Sequence, residues 1–273
     1  MAHIRIQGIS LEYPIYDVTS RSLKISLLQQ AVGSRLAKDR RNVRVQAIQN
    51  LTMNLSDGDR VGLVGHNGSG KSTLLRVIAG VTFPQLGKMD IKGRVVPLIE
   101  RGLGVNSELT GRQNISLPLM LLGATGAEIR AAHQEIPEWT GLGEFIDLPV
   151  RTYSDGMRAR LMFAISTAIH GDILLLDEWL GAGDAQFVQA ASERMERMLA
   201  SAGIMVVASH SAEIIQKFCT KAVWMERGEI IAIGSPDMVM QRYLEGLRPP
   251  QEEIEEMMRA ESNIVKFKTA TSR

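Results

Sequence analysis

An α/β fold built around a mainly parallel sheet is what this sequence predicts, and three observations predict it. The runs ILLL at 173–176 and IMVVA at 204–208 are short and continuously apolar, as strands covered on both faces are. Arg60–Val64 is a third short apolar strand and runs straight into a glycine-rich turn. After that turn Lys71–Ala79 has helical character and stops at Gly80. Two more strands follow from alternation, HIRIQGI near the N-terminus and VQAIQNLTMNL ahead of Arg60. Between them lies a polar insertion from about Asp17 to Arg44. Within it Leu23, Leu27, Leu28 and Val32 recur at helical spacing beside the basic run Lys38–Arg41, which predicts an amphipathic helix. Near the other end, AVWMERGEIIAIG reads as a hairpin turning at Arg227-Gly228, and Ser235-Pro236 starts a short helix. From Arg248 the composition turns polar, with a Pro-Pro pair and the acidic run EEIEE, and reads as a tail or an exposed helix.

Composition narrows the function classes. A chain of 273 residues that is 45% hydrophobic can bury one main core with smaller attachments. Its formal net charge of +1 supplies no global field for nucleic acid, so none is expected as a partner. The single cysteine, Cys219, excludes an internal disulfide framework and a Cys-rich metal site, which suits a reducing compartment. No stretch reaches the roughly 18 to 20 apolar residues that span a bilayer, so membrane attachment is expected only through a partner.

Two sites carry chemistry. Gly65-His66-Asn67-Gly68-Ser69-Gly70-Lys71-Ser72 fits G-x-x-x-x-G-K-[ST] and lies between a strand and a helix, the context this phosphate-cradling motif requires; Thr73 continues into the helix. The glycines let backbone N–H groups converge on a phosphate, the helix N-terminus adds its positive dipole end, Lys71 would bridge the β- and γ-phosphates, and Ser72 would be a ligand of Mg²⁺. The run ILLLDE then ends a buried strand with two adjacent carboxylates that point opposite ways. Asp177 can hold Mg²⁺ through a water while Glu178 orients and deprotonates an attacking water.

A third element, Tyr153-Ser154-Asp155-Gly156-Met157, precedes the carboxylates by about twenty residues and opens the helical run MRARLMFAISTAI. In that order the three motifs resemble those of the ABC ATPases, whose signature is usually written LSGGQ. Ser154 and Gly156 match it; Tyr153, Asp155 and Met157 depart from it. The resemblance implies a P-loop NTPase of ABC type, with a helical signature subdomain over about 101–165 and an antiparallel β subdomain. It implies ATP and Mg²⁺ at the site, and a two-fold dimer in which the signature of one copy faces the nucleotide held by the other. It also makes GAGD, ending at Asp184, the D-loop, and His210 the switch histidine that senses the γ-phosphate. Where most members carry the Q-loop glutamine, Glu100 stands here, a carboxylate near Mg²⁺. The aromatic that stacks on adenine would be Tyr13 or Tyr16, either of which equally packs at a strand end.

The departures, together with ELTGRQNI at 108–115, resemble the branch that exports O-antigen, capsule or teichoic-acid chains. The resemblance covers about residues 1–245 and leaves 246–273 as a tail. It implies an ATP-hydrolysing subunit bound to an integral membrane permease at the cytoplasmic face of the inner membrane, with a lipid-linked polysaccharide as transported substrate. The insertion over about 18–42 corresponds to a gate-like segment in that branch, or else covers an edge of the subunit's own core. Segment 101–140, with helices expected around Arg112–Met120 and Ala127–Trp139, should carry the groove for the permease. Two alternatives stay open: an ABC ATPase subunit for another cargo, and a soluble ABC ATPase outside transport.

Overall fold

A computed structural model describes residues 1–15, 36–38, 43–99, 104–177 and 185–262. In chain order its strands are β1 (His3–Ile15), β2 (Leu36–Lys38), β3 (Val43–Ser56), β4 (Arg60–Val64), β5 (Leu86–Lys92), β6 (Val95–Leu98), β7 (Ile173–Asp177), β8 (Ile204–Ala208), β9 (Lys221–Glu226) and β10 (Glu229–Gly234). The helices are α1 (Lys71–Ile78), α2 (Ser116–Leu121), α3 (Gly126–Thr140), α4 (Asp155–Ser166), α5 (Ala185–Ser201), α6 (Ala212–Phe218), α7 (Pro236–Glu245) and α8 (Gln251–Ser262). The chain divides into two compact units, Met1–Gly93 with Val206–Arg273, and Arg94–Met205.

The first unit contains an antiparallel sheet in the order β2-β3-β1-β5. Alternation places Ile4 and Ile6 on its inner face opposite Leu55 and Met53. A register shift between Ile6 and Ile9, where Gly8 takes a φ of 59°, returns Ile9 and Leu11 to that same buried face. Without such a bulge the odd-numbered residues would turn outward. Beside this sheet run β4 and β9, parallel with Val61 opposite Lys221 and Val64 opposite Trp224, and β10 folds back antiparallel on β9. The hairpin turns at Arg227-Gly228, both in the left-handed region that a tight two-residue turn requires. Most of the insertion lies outside the described residues, the amphipathic run among them; β2 is its one described element and pairs with the start of β3.

In the second unit β6 and β7 run parallel, Val95 opposite Ile173 and Leu98 opposite Leu176, and Ile173–Leu176 are buried. Helix α3 starts with a capping box in which Thr125 and Glu128 satisfy each other's amides. Trp139, Phe163 and Phe187, one each from α3, α4 and α5, stack with centroids 5.5 to 5.9 Å apart. The helix expected around Arg112–Met120 is shorter than its sequence suggested: α2 begins only at Ser116. Ahead of it Thr110 and Gln113 exchange side-chain hydrogen bonds to each other's amides. Buried Asn114 donates to the carbonyls of Asn106, Leu109 and Thr110 and accepts from the Asn106 amide. Those local bonds compete with helix for the same backbone.

Candidate nucleotide-binding site

The loop between β4 and α1 uses glycine where the backbone demands it. Gly68 and Gly70 take φ values of 77° and 110°, outside the reach of most side chains. Gly70 caps α1 without any side-chain hydrogen bond, and the first turn of the helix holds no acidic residue. The helix's own first turn therefore supplies no carboxylate to these amides, which suits accepting an anion from elsewhere. His66, Asn67 and Gly68 are exposed at the loop's crest, Ser69 is buried, and Ser72 and Thr73 are half-buried on the helix. Lys71 is 7% exposed and folds back on its own loop, its Nζ donating to the carbonyls of Gly65 (2.6 Å) and His66 (3.2 Å). A buried ammonium held by neutral carbonyls gains from an arriving phosphate.

His210 belongs to the same unit and is exposed, on the turn that leaves β8. The Ser209 amide donates to the Leu63 carbonyl at 3.3 Å, so this turn starts beside the end of β4, one residue from the strand's junction with the loop. Ser209 Oγ accepts from the Ser211 amide, and Ser211 Oγ from Ile214, which fixes the start of α6. Tyr13 sits on β1 opposite Val45 and is 37% exposed. Cys219 takes no part: burial pushes its thiol up to about 12 and keeps it protonated.

In the second unit Asp177 ends β7 half-buried after four buried apolar residues. Ser154 is the N-cap of α4 and accepts a hydrogen bond from the Met157 amide at 3.3 Å. Ser154, Asp155 and Gly156 are exposed. Among the described residues a Cβ built on Gly156 would meet nothing closer than Ser154 Oγ at 4.0 Å, so their packing gives no reason for a glycine there. Tyr153 is the opposite case. Its ring is buried, its hydroxyl donates to the Phe145 carbonyl at 2.6 Å, and any Cβ on Gly111 would collide with that hydroxyl. The departure from leucine and the glycine of ELTGRQNI are therefore one packing solution. Burial raises the Tyr153 phenol above its ordinary range.

Tyr16, Glu100, Glu178 and Asp184 lie outside the described residues. Two residues that motif reading passed over stand out instead. Gly228 touches the loop through its main chain. Arg194 on α5 is 8% exposed and donates to the Thr167 hydroxyl (2.7 Å) and carbonyl (3.3 Å) at the end of α4. It also pairs with Glu135 on α3 and lies 5.0 Å from the Trp139 ring centroid. Only its place on a half-buried helix face signals it in the sequence.

The ABC transporter family profile matches residues 48–181. The O-antigen export system ATP-binding protein RfbE of Yersinia enterocolitica is 42% identical over 231 residues, 84% of this chain and 97% of that protein. The teichoic acids export ATP-binding protein TagH of Bacillus cereus is 37% identical over 240 residues, 88% of this chain but 42% of that longer protein. Among solved structures, the dimeric post-hydrolysis state of the ATP-binding cassette MJ0796 bound to ADP and Pi has a TM-score of 0.63 at 18% identity, covering 85% of this chain and 98% of that one. That likeness establishes the fold. With the relative matched along nearly its whole length, the chain belongs to the ABC transporter ATP-binding proteins, in their O-antigen and teichoic-acid export branch.

Proposed function

We propose that this chain hydrolyses ATP to power export of a lipid-linked polysaccharide, of O-antigen, capsular or teichoic-acid type, across the cytoplasmic membrane. The identity to RfbE over nearly all of that protein is the observation that carries the cargo. The chain acts as a homodimer at the cytoplasmic face, held there by an integral membrane permease. Gly156 supports the dimer: a glycine uncrowded by the described residues, at an exposed helix N-terminus, suits close approach by a nucleotide held on a second copy. On α2, Leu117, Met120 and Leu121 are 46%, 54% and 55% exposed, an apolar face suited to a permease helix. Among the described residues no helix is long and apolar enough to cross a membrane.

In this reading the amides of Gly65–Thr73 and Lys71 hold the phosphates of ATP, and one of Tyr13 and Tyr16 stacks on adenine. Ser72 and Asp177, with Glu100, are hard oxygen donors that fit Mg²⁺, which when bound neutralises charge developing between the β- and γ-phosphates. Glu178 takes a proton from the attacking water, His210 contacts the γ-phosphate, and Asp184 joins the two copies at the interface. ATP favours the closed dimer because both copies contact it only there, and hydrolysis removes that differential affinity.

Disrupting the gene in its host tests the cargo: polymer should vanish from the surface while its lipid-linked form accumulates inside, and an unchanged pattern in both fractions sinks the reading. For the chemistry, Glu178→Gln should abolish turnover and trap an ATP-bound dimer on size exclusion. A variant that hydrolyses normally removes Glu178 from the base role.

A further inference from the structure

The tip of the β9–β10 hairpin meets the nucleotide loop through main-chain atoms. The Gly228 amide donates to the Ser69 carbonyl at 2.8 Å, and the Gly228 carbonyl accepts from the Gln49 amide on β3 at 2.9 Å. No side chain fits between these three backbones. A Cβ on Gly228, whose φ is 82°, would lie 2.7 Å from the Ala47 carbonyl oxygen; one on Gly70 would lie 2.8 Å from that same oxygen and 3.3 Å from Gly228 Cα. A Cβ on Gly65 would collide with the Met225 carbonyl on β9. The loop is therefore wedged between β3 and the hairpin.

We propose that Gly228 is a positioning residue of the nucleotide site and that helix α8 braces the turn carrying it. The peptide bond is planar and trans, so fixing the Ser69 carbonyl toward the hairpin fixes the Gly70 N–H pointing away from it, the direction from which a phosphate would be met. The Gly228 hydrogen bond sets the aim of that amide before nucleotide arrives, and pre-aimed donors bind without the cost of ordering. Helix α8, whose Ile254 is 4% exposed, packs on β10, which leaves the turn, and on β3, whose Gln49 amide holds the Gly228 carbonyl. Arg248 lies 3.7 Å from Glu226, the residue just before the turn, and Glu253 of α8 pairs with Arg242 of α7 at 2.7 Å. A segment whose composition reads as a tail or an exposed helix thereby packs, through α8, on two strands beside the nucleotide loop.

This inference rests on the reading that Gly65–Thr73 holds the phosphates, and the test separates the two. A fluorescent ATP analogue is titrated into the full-length chain and its Gly228→Ala, Ile254→Ala and Lys71→Ala variants, with ATPase kinetics and thermal melts in parallel. For Gly228→Ala, losing the aimed amide should weaken affinity and raise KM by about tenfold or more, with kcat at saturating ATP nearly kept. Ile254→Ala loosens the brace without straining the turn and should weaken affinity by about threefold in the folded fraction. If Gly228→Ala does not fold, Ile254→Ala decides. Wild-type affinity in every folded variant of the turn and brace, with Lys71→Ala defective, overturns the inference. Lys71→Ala that binds normally overturns the underlying reading instead.

Discussion

The nucleotide loop and the surroundings of the signature helix are held in place by different physics. Around Gly65–Gly70 the restraints are main-chain hydrogen bonds and steric contacts at glycines, with Lys71 turned onto loop carbonyls. In the second unit, which holds α4, charged side chains add to the aromatic contacts of Trp139, Phe163 and Phe187. Arg194 ties α5 to α4 and α3, Arg112 pairs with Asp147 at 2.7 Å, and Arg94 donates to Glu128 at 2.5 Å and to the Gly123 carbonyl at 2.9 Å. Main-chain amides do not titrate and resist screening, so the first region should keep its shape across pH and salt. The second should not. The loop presents its donors from backbone, whereas the second unit ties its elements together with ion pairs that can be traded.

Perturbations that separate the two regions sharpen this contrast. The largest effect is expected from Lys71→Ala, which removes two charge-assisted bonds' worth of phosphate affinity, about 100-fold in Kd by titration. The loop itself should survive, because main-chain bonds and glycine contacts hold it besides the two lysine bonds; collapse of the unit in a thermal melt would mean that the lysine holds the loop. Next is Arg194→Ala. Losing the bonds to Thr167 and the packing on Trp139 should lower stability by about 2 to 3 kcal/mol in urea unfolding. Nucleotide affinity should stay near wild type, and its loss would show that the regions are not separable.

The smallest effect is acidic. Hydrogen bonds from Arg94, then from the Thr125 amide and hydroxyl, hold the Glu128 carboxyl at about 2, below its ordinary 4.5. A depressed carboxylate stabilises the fold above its unfolded pKa, and that contribution fades as pH falls from 4.5 through about 2. Glu128→Gln should therefore flatten the acid limb of stability in that window while changing little between it and neutrality beyond the lost ion pair. An unchanged acid limb would place the titrating group elsewhere. The Asp147 carboxyl, lowered by Arg112, moves in the same direction.

What could be read in advance follows from the same contrast. The nucleotide loop, the buried strands and the Arg227-Gly228 turn are local patterns, in which residue type and spacing specify backbone conformation directly. That is why Gly70, Lys71 and the β9–β10 hairpin stand where their sequence places them. The Ser69–Gly228 bond joins residues far apart in the chain, and Arg194, Glu135 and Thr167 come from three separate segments. No periodicity encodes such meetings. Asn114 was equally hidden: an apolar-looking helical stretch begins late because one buried amide binds four backbone groups.

The contact of Tyr153 with Gly111 imposes an order on sequence change. With the phenol in place, position 111 admits no side chain, because even a methyl group would strike the hydroxyl. With leucine at 153 instead, the Phe145 carbonyl keeps only the Leu148 amide of its two donors and space opens beside Gly111. In a drift from this signature toward the usual one, residue 153 must shrink before residue 111 can grow, and Ile146, whose Cδ1 and carbonyl oxygen lie 3.0 and 3.1 Å from a Cβ at 111, must give as well. The reverse journey must empty 111 before the tyrosine can enter. Some forty residues of chain separate positions 111 and 153, yet the size of each side chain limits what the other can be.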